Sequence, residues 1–269
     1  FSMAAGALGA LTASAPVEAM LPILGWRGVF WVIAVVALAV AVFLLFALPR
    51  EKPHASGESV MEAFRSVGVI FTSAGFWRFA ASAVFITGGF MAFQSLWAVP
   101  WLMDVNGLSR AQAATQLLVM NLGMLAGQLS IGFLGTRLAR MGVRPVHLLQ
   151  GGFSAMLVVE LLILMQWGPI SFAWFALGVL VSVNAQAYLA ASDYFPKSAF
   201  GRVSTAVNLM VFAGAFAVQW GLGGMLDLLQ GMGSERASAL QMSYAGLMVV
   251  QLASLMPILL GGRRAAISA

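Results

Sequence analysis

Residues 28–48, GVFWVIAVVALAVAVFLLFAL, contain no charged side chain over 21 positions. A helix rises about 1.5 Å per residue, so a run of this length crosses the roughly 30 Å hydrocarbon core of a bilayer. Barrel strands would be about 10 residues long and would alternate apolar with polar positions. No such alternation is present. A backbone in lipid must satisfy its own hydrogen bonds, so the run reads as a transmembrane helix.

Outward from this stretch the same kind of run recurs. Apolar segments bounded by charge, Gly or Pro fall at 1–23, 28–48, 77–103, 112–135, 145–167, 170–193, 203–228 and 239–261. They predict an all-α, polytopic membrane protein with eight transmembrane helices. Composition agrees, since 61% of the 269 residues are hydrophobic and 9% are charged, against roughly a quarter charged in a soluble domain. The absence of cysteine excludes disulfides, thiolate metal ligands and cysteine nucleophiles. The net charge is +5, but Lys and Arg stand singly between apolar runs. Nucleic-acid binding would call for basic clusters interleaved with aromatics, so the expected partner is the lipid bilayer and not nucleic acid.

Charge in the breaks sets the orientation. Arg50, Lys52, Arg65, Arg78, Arg137, Arg140, Arg144, Lys197, Arg202, Arg263 and Arg264 fall on one side, and only Arg27, Arg110 and Arg236 on the other. Positive charge is retained inside, which predicts a cytoplasmic C-terminus. The single long polar break covers 49–76. Within it, Ser59 and Glu62 have the spacing of a capping box, opening a short surface helix with Val60, Phe64 and Val67 on one face. Phe1 begins inside an apolar run with no basic leader, so the chain is expected to be part of a longer protein.

Gly25-Trp26-Arg27 with Phe30, Phe76-Trp77-Arg78, the stretch from Gly132 to Arg140, and Phe195-Pro196 with Gly201-Arg202 together resemble motifs of the major facilitator superfamily (MFS) of transporters. Gly25-Trp26-Arg27 followed by Phe30 resembles that family's turn between the fifth and sixth spans, and Phe76-Trp77-Arg78 resembles the start of its seventh. The segment from Gly132 through Gly135, Thr136 and Arg137 to Arg140 resembles the family's repeated cytoplasmic loop motif, Gly-x-x-x-Asp-Arg, with Thr136 where the family usually has Asp. Phe195-Pro196 with Gly201-Arg202 resembles the turn leading into the eleventh span.

The resemblance implies spans five to twelve of a twelve-span fold. On that alignment 1–48 are the last two helices of an N-terminal bundle, 49–76 a cytoplasmic linker and 77–269 a six-helix C-terminal bundle, with the other N-terminal helices of the same protein as missing partners. It further implies secondary active transport of a small molecule or ion by alternating access, as symporter or antiporter, in a bacterial inner (plasma) membrane. A fragment of this kind is expected to be inactive alone, and no cofactor is expected.

Polar side chains inside spans are costly and therefore informative, although many only tie helices together. Candidates for the substrate path are Gln94, Asn121, Gln128, Asn184, Tyr188, Asn208 and Gln219. Phe90, Phe93, Trp97 and Trp101 form a stripe that reads either as an aromatic wall or as interfacial belt and packing. Glu18 and Glu160 lie in apolar runs with no basic residue in the same span, which makes them candidates for proton coupling. For Glu160 a bond to a neighbouring helix is an equal reading. Gly123 and Gly127 have the spacing of a helix-packing pair.

Two rival classes are weaker. An intramembrane enzyme lacks a motif: His54 and His147 fall at polar breaks, and Gly152-Phe153-Ser154-Ala155-Met156 lacks the final Gly of a nucleophile elbow. No metal-binding pattern stands out. A channel or structural subunit is the other rival, and no filter-like loop lies between spans.

Overall fold

A computed structural model describes Gly9, residues 15–47 and residues 60–261, apart from the side chains of 15–19, 60–64 and 66. Every regular element among the described residues is helical: α1 (Ala15–Ala47), α2 (Val60–Thr72), α3 (Ala74–Val105), α4 (Arg110–Arg140), α5 (Pro145–Leu164), α6 (Ile170–Ser192), α7 (Lys197–Gly231) and α8 (Arg236–Leu260). All but α2 are long and apolar enough to cross a membrane.

The expected first span lies largely outside the described residues. Its end joins the second span within α1, where Gly25 (φ 62°, ψ 170°) breaks the helical path. That backbone conformation is essentially reserved for glycine, so the expected turn at Gly25-Trp26-Arg27 falls at the break. Helix α2 occupies the polar break, as its sequence predicted. The proposed cap residues Ser59 and Glu62 lie outside the described side chains.

Several helices differ from their expected limits: α5 ends three residues early, α7 and α8 start six and three residues early, and α3 and α4 differ at both ends. Helix α3 starts at Ala74, where the Ser73 hydroxyl accepts from the Phe76 amide, and it contains π-helical turns at Ala83–Thr87, Phe93–Trp97 and Trp101–Val105. Helix α4 starts with a capping box in which Ser109 and Gln112 exchange side-chain and backbone bonds. It then continues to Arg140, so Gly132, Gly135, Arg137 and Arg140 lie on its last turns and not in a loop. No residue in that stretch breaks a helix before Gly142 (φ 80°), and Arg137 and Arg140 favour a helix C-terminus electrostatically.

Helices α3 to α8 form one bundle held by close backbone approach and a shared aromatic core. A side-chain carbon on Gly123, Gly127 or Gly178 would collide with the Phe175, Val179 or Met120 carbonyl, so α4 and α6 meet main chain to main chain. This confirms the packing role read from Gly123 and Gly127. Gly88 and Gly214 do the same for α3 and α7. Helices α5 and α8 pack on each other, α5 against α6 and α8 against α3 and α7. Phe76, Phe79, Trp101, Phe153 and Trp174 are fully buried between these helices.

Both ends of the bundle are tied. At one end Arg236 pairs with Asp104 at 2.7 Å, and the Gln166 amide donates to the Val105 carbonyl. At the other, Arg78 donates to the Tyr194 hydroxyl and to the carbonyls of Pro257, Ile258 and Gly261, closing off the C-terminal end of α8. Gln150 adds a bond to the Ile258 carbonyl. Helix α1, by contrast, leaves most of its surface open, with Trp31 74% and Phe46 85% exposed.

Candidate functional site

The path candidates fall on the four helices α3, α4, α6 and α7. Gln94, in the middle π-turn of α3, donates its amide to Asn121 Oδ1 on α4 at 2.8 Å. Asn121 is buried, and both residues lie eleven positions from the α3–α4 turn, roughly 16 Å along the helices. A second pair joins the other two helices, where the Tyr188 hydroxyl donates to Asn208 Oδ1 at 3.1 Å. The bundle therefore joins α3 to α4 and α6 to α7 through polar side chains, and α4 to α6 and α3 to α7 through glycines.

The remaining path candidates are less engaged. Gln128, on the Asn121 face of α4, has a buried carbonyl oxygen without a partner among the described residues. Asn184 ends a short 3₁₀ turn in α6, and both it and Gln219 on α7 are half-buried. Gln186, on another side of α6 from Asn184 and Tyr188, is buried. The aromatic stripe is core and neither wall nor belt at three of its four positions: Phe90, Phe93 and Trp101 are buried. Phe93 packs 6.0 Å from both Trp101 and Trp174, and 4.6 Å from Tyr244. Each π-turn adds a residue and advances the side-chain direction by about 100°, so simple helical spacing does not predict which face of α3 is buried.

Glu160 belongs to a different interface. It is 2% exposed on α5, facing α8, where the Gln251 amide donates to its Oε1 at 3.4 Å and Tyr244 lies beside it. Glu160 Oε2, Gln251 Oε1 and the Tyr244 hydroxyl have no hydrogen-bond partner within bonding geometry among the described residues. Gln251 and Tyr244 were not singled out from sequence. Their signal was present, since polar residues seven apart in α8 share a face two turns apart. The side chain of Glu18 lies outside the described residues. The helix-end residues Arg137 and Arg140 are exposed, and Gly132 and Gly135 have open space around them.

The sequence profile of the Major Facilitator Superfamily matches residues 1–219. The chain belongs to the Major Facilitator Superfamily. Among solved structures this MFS chain is similar to a bacterial homolog of the human lysosomal transporter Spinster. The inward-facing, unoccupied form has a TM-score of 0.57 at 16% identity, covering 88% of this chain and 58% of that one. The inward-facing, occupied form gives 0.52 at 15% identity, covering 88% and 57%. At these identities the likeness is one of fold. No curated protein matches the sequence. The chain spans under two thirds of the length of these solved transporters, and it shares their family fold, as the motifs implied.

Proposed function

We propose that the chain forms part of a secondary active transporter that moves a small solute by alternating access and couples that movement to a proton bound at Glu160. The observation that carries the transport reading is the Gln94–Asn121 pair, a neutral polar contact deep within an apolar bundle. Polar groups at that depth are costly, and in membrane proteins they either tie helices together or line solute pathways, the reading taken for this pair. With Tyr188 and Asn208, the path offers amides and a phenol, which suits a neutral or cationic organic solute. Helix α1 belongs to a first bundle completed by further helices of the same protein, with 49–76 as linker, 77–269 as second bundle and the C-terminus in the cytoplasm. The wide exposure of α1 supports this division. A chain with one bundle complete would not transport alone.

Hydrogen-bond accounting supports the proton site. Glu160 Oε2 and Gln251 Oε1 are two buried acceptors without a hydrogen bond among the described residues, and the Tyr244 hydroxyl beside Glu160 is the one buried donor close to them. A proton carried by the Glu160 carboxyl turns one of these acceptors into a donor. Its loss leaves a carboxylate in an apolar interface with only Gln251 and Tyr244 to donate to it, which favours repacking of α5 against α8.

Uptake by proteoliposomes holding the intact protein under an imposed pH gradient tests both parts. Gradient-driven accumulation is expected in the native protein, and Glu160→Gln should abolish accumulation while sparing downhill exchange. Uptake indifferent to the gradient would remove proton coupling, and flux at channel-like rates would remove the carrier.

A further inference from the structure

A groove of about 290 Å³ opens between α7 and α8 with α3 at its floor. Gly221 on α7 and Gly246 on α8 form part of its walls, and a side-chain carbon built on either would meet nothing within 4 Å. The space beside both glycines is unfilled. Its long axis follows the helices. Met225 and Ser243 line it six and seven residues from the facing helix ends Gly231 and Arg236, roughly 10 Å in. Phe85 and Val250 line it deeper, Val250 another seven residues along α8, again roughly 10 Å.

One polar group interrupts the apolar lining. Ser243 is 4% exposed, and its hydroxyl has no hydrogen-bond partner among the described residues. A trapped water would need two to four polar partners, and this groove offers it one hydroxyl. The geometry points to a lipid acyl chain as the occupant, drawn from the leaflet on the side of the α7–α8 turn, with its ester carbonyl accepting from Ser243 once that serine turns its withdrawn hydroxyl to the groove. Three features fit that chemistry. The groove runs parallel to the lipid chains, its polar end faces the nearer membrane surface, and its volume is at the low end for a small-molecule site. The inference requires only that α3, α7 and α8 span the membrane, so it stands or falls separately from the transport and proton readings.

The test is photocrosslinking of the intact protein in phosphatidylcholine vesicles doped with phosphatidylcholine bearing a diazirine on its acyl chain. Mass spectrometry of the peptides then locates the adducts. Adducts should concentrate on the groove segments of α7 and α8 and be lost in Gly246→Leu or Gly221→Leu, which fill the groove. Adducts at the exposed Val158 and Phe172 should persist in those variants, reporting that the bundle is intact. Ser243→Ala should reduce groove labelling by the ester-linked probe to the level given by a diazirine alkane. Groove labelling no greater than that at Phe172 and unchanged by either leucine would mean bulk lipid contact only. Labelling at Phe172 with none in the groove would mean that another helix or a second copy covers it. Either result overturns the proposal, and equal groove labelling by ester and alkane probes in the native protein removes the role of Ser243.

Discussion

Gln251 on α8 donates its amide to Glu160 on α5 at 3.4 Å, inside an interface where both side chains are withdrawn from solvent. Replacing one partner alone strands the other, at a cost of about 1–3 kcal/mol, whereas replacing both with apolar groups of similar shape can be nearly neutral. Glu160→Met and Gln251→Met should each lower the unfolding temperature in detergent, and the double variant should recover most of the loss. A double variant as unstable as the two losses summed would show that the pair does not interact.

The main-chain contact between α4 and α6 should tolerate no added volume. Gly178→Leu drives a side chain into the Met120 carbonyl and should cost about 1–3 kcal/mol or more, as overpacking does. Gly132→Ala, in open space on the same helix pair's α4 partner, should be neutral or should stabilise α4 by up to about 1 kcal/mol. Thermal unfolding of the two variants side by side separates close packing from helix propensity.

Arg78 serves four acceptors on two other segments, and its planar fork suits that role better than an ammonium group does. Arg78→Lys should therefore behave almost as poorly as Arg78→Ala. Hydrogen exchange should rise at the C-terminal turn of α8 in both variants, with little change at its Arg236 end. Full protection in the lysine variant would show that charge alone is enough.

The ion pair at the opposite end is a weaker tie. Arg236 and Asp104 side chains are 52% and 33% exposed, so their 2.7 Å contact should contribute less than about 1 kcal/mol. Arg236→Gln should shift the unfolding temperature only slightly, and high salt should erase the difference. A large salt-insensitive loss would point to packing by the arginine stem.

Much of this architecture was legible because bilayer thickness imposes length on helices and glycine marks where they turn. The apolar runs gave the six bundle helices to within a few residues at most ends, and Gly123 and Gly127 gave the α4–α6 contact. Residues 132–140 were placed in a loop because a motif resemblance was read as a boundary, although nothing there stops a helix. The Ser109–Gln112 capping box was in the sequence and marked the true start of α4. The partners of Glu160 were not legible, since the contact joins α5 to α8 across 91 residues and depends on which helices are neighbours. The burial of Phe93 and Trp101 was hidden for another reason: periodicity assumes an unbroken α-helix, and α3 is not one.

Helix α3 has three places where its hydrogen-bond ladder takes in an extra residue. Such a rod can change length and phase without exposing a single unpaired amide to lipid. Reverting one widened turn to the regular repeat, and widening the next, passes the surplus residue along the chain like a wrinkle in a carpet. Only the segment between the old and new positions turns by about 100°, while both ends stay anchored at Arg78 and Asp104. Gln94 sits inside the middle wrinkle, so its reach toward Asn121 is set by where the surplus resides.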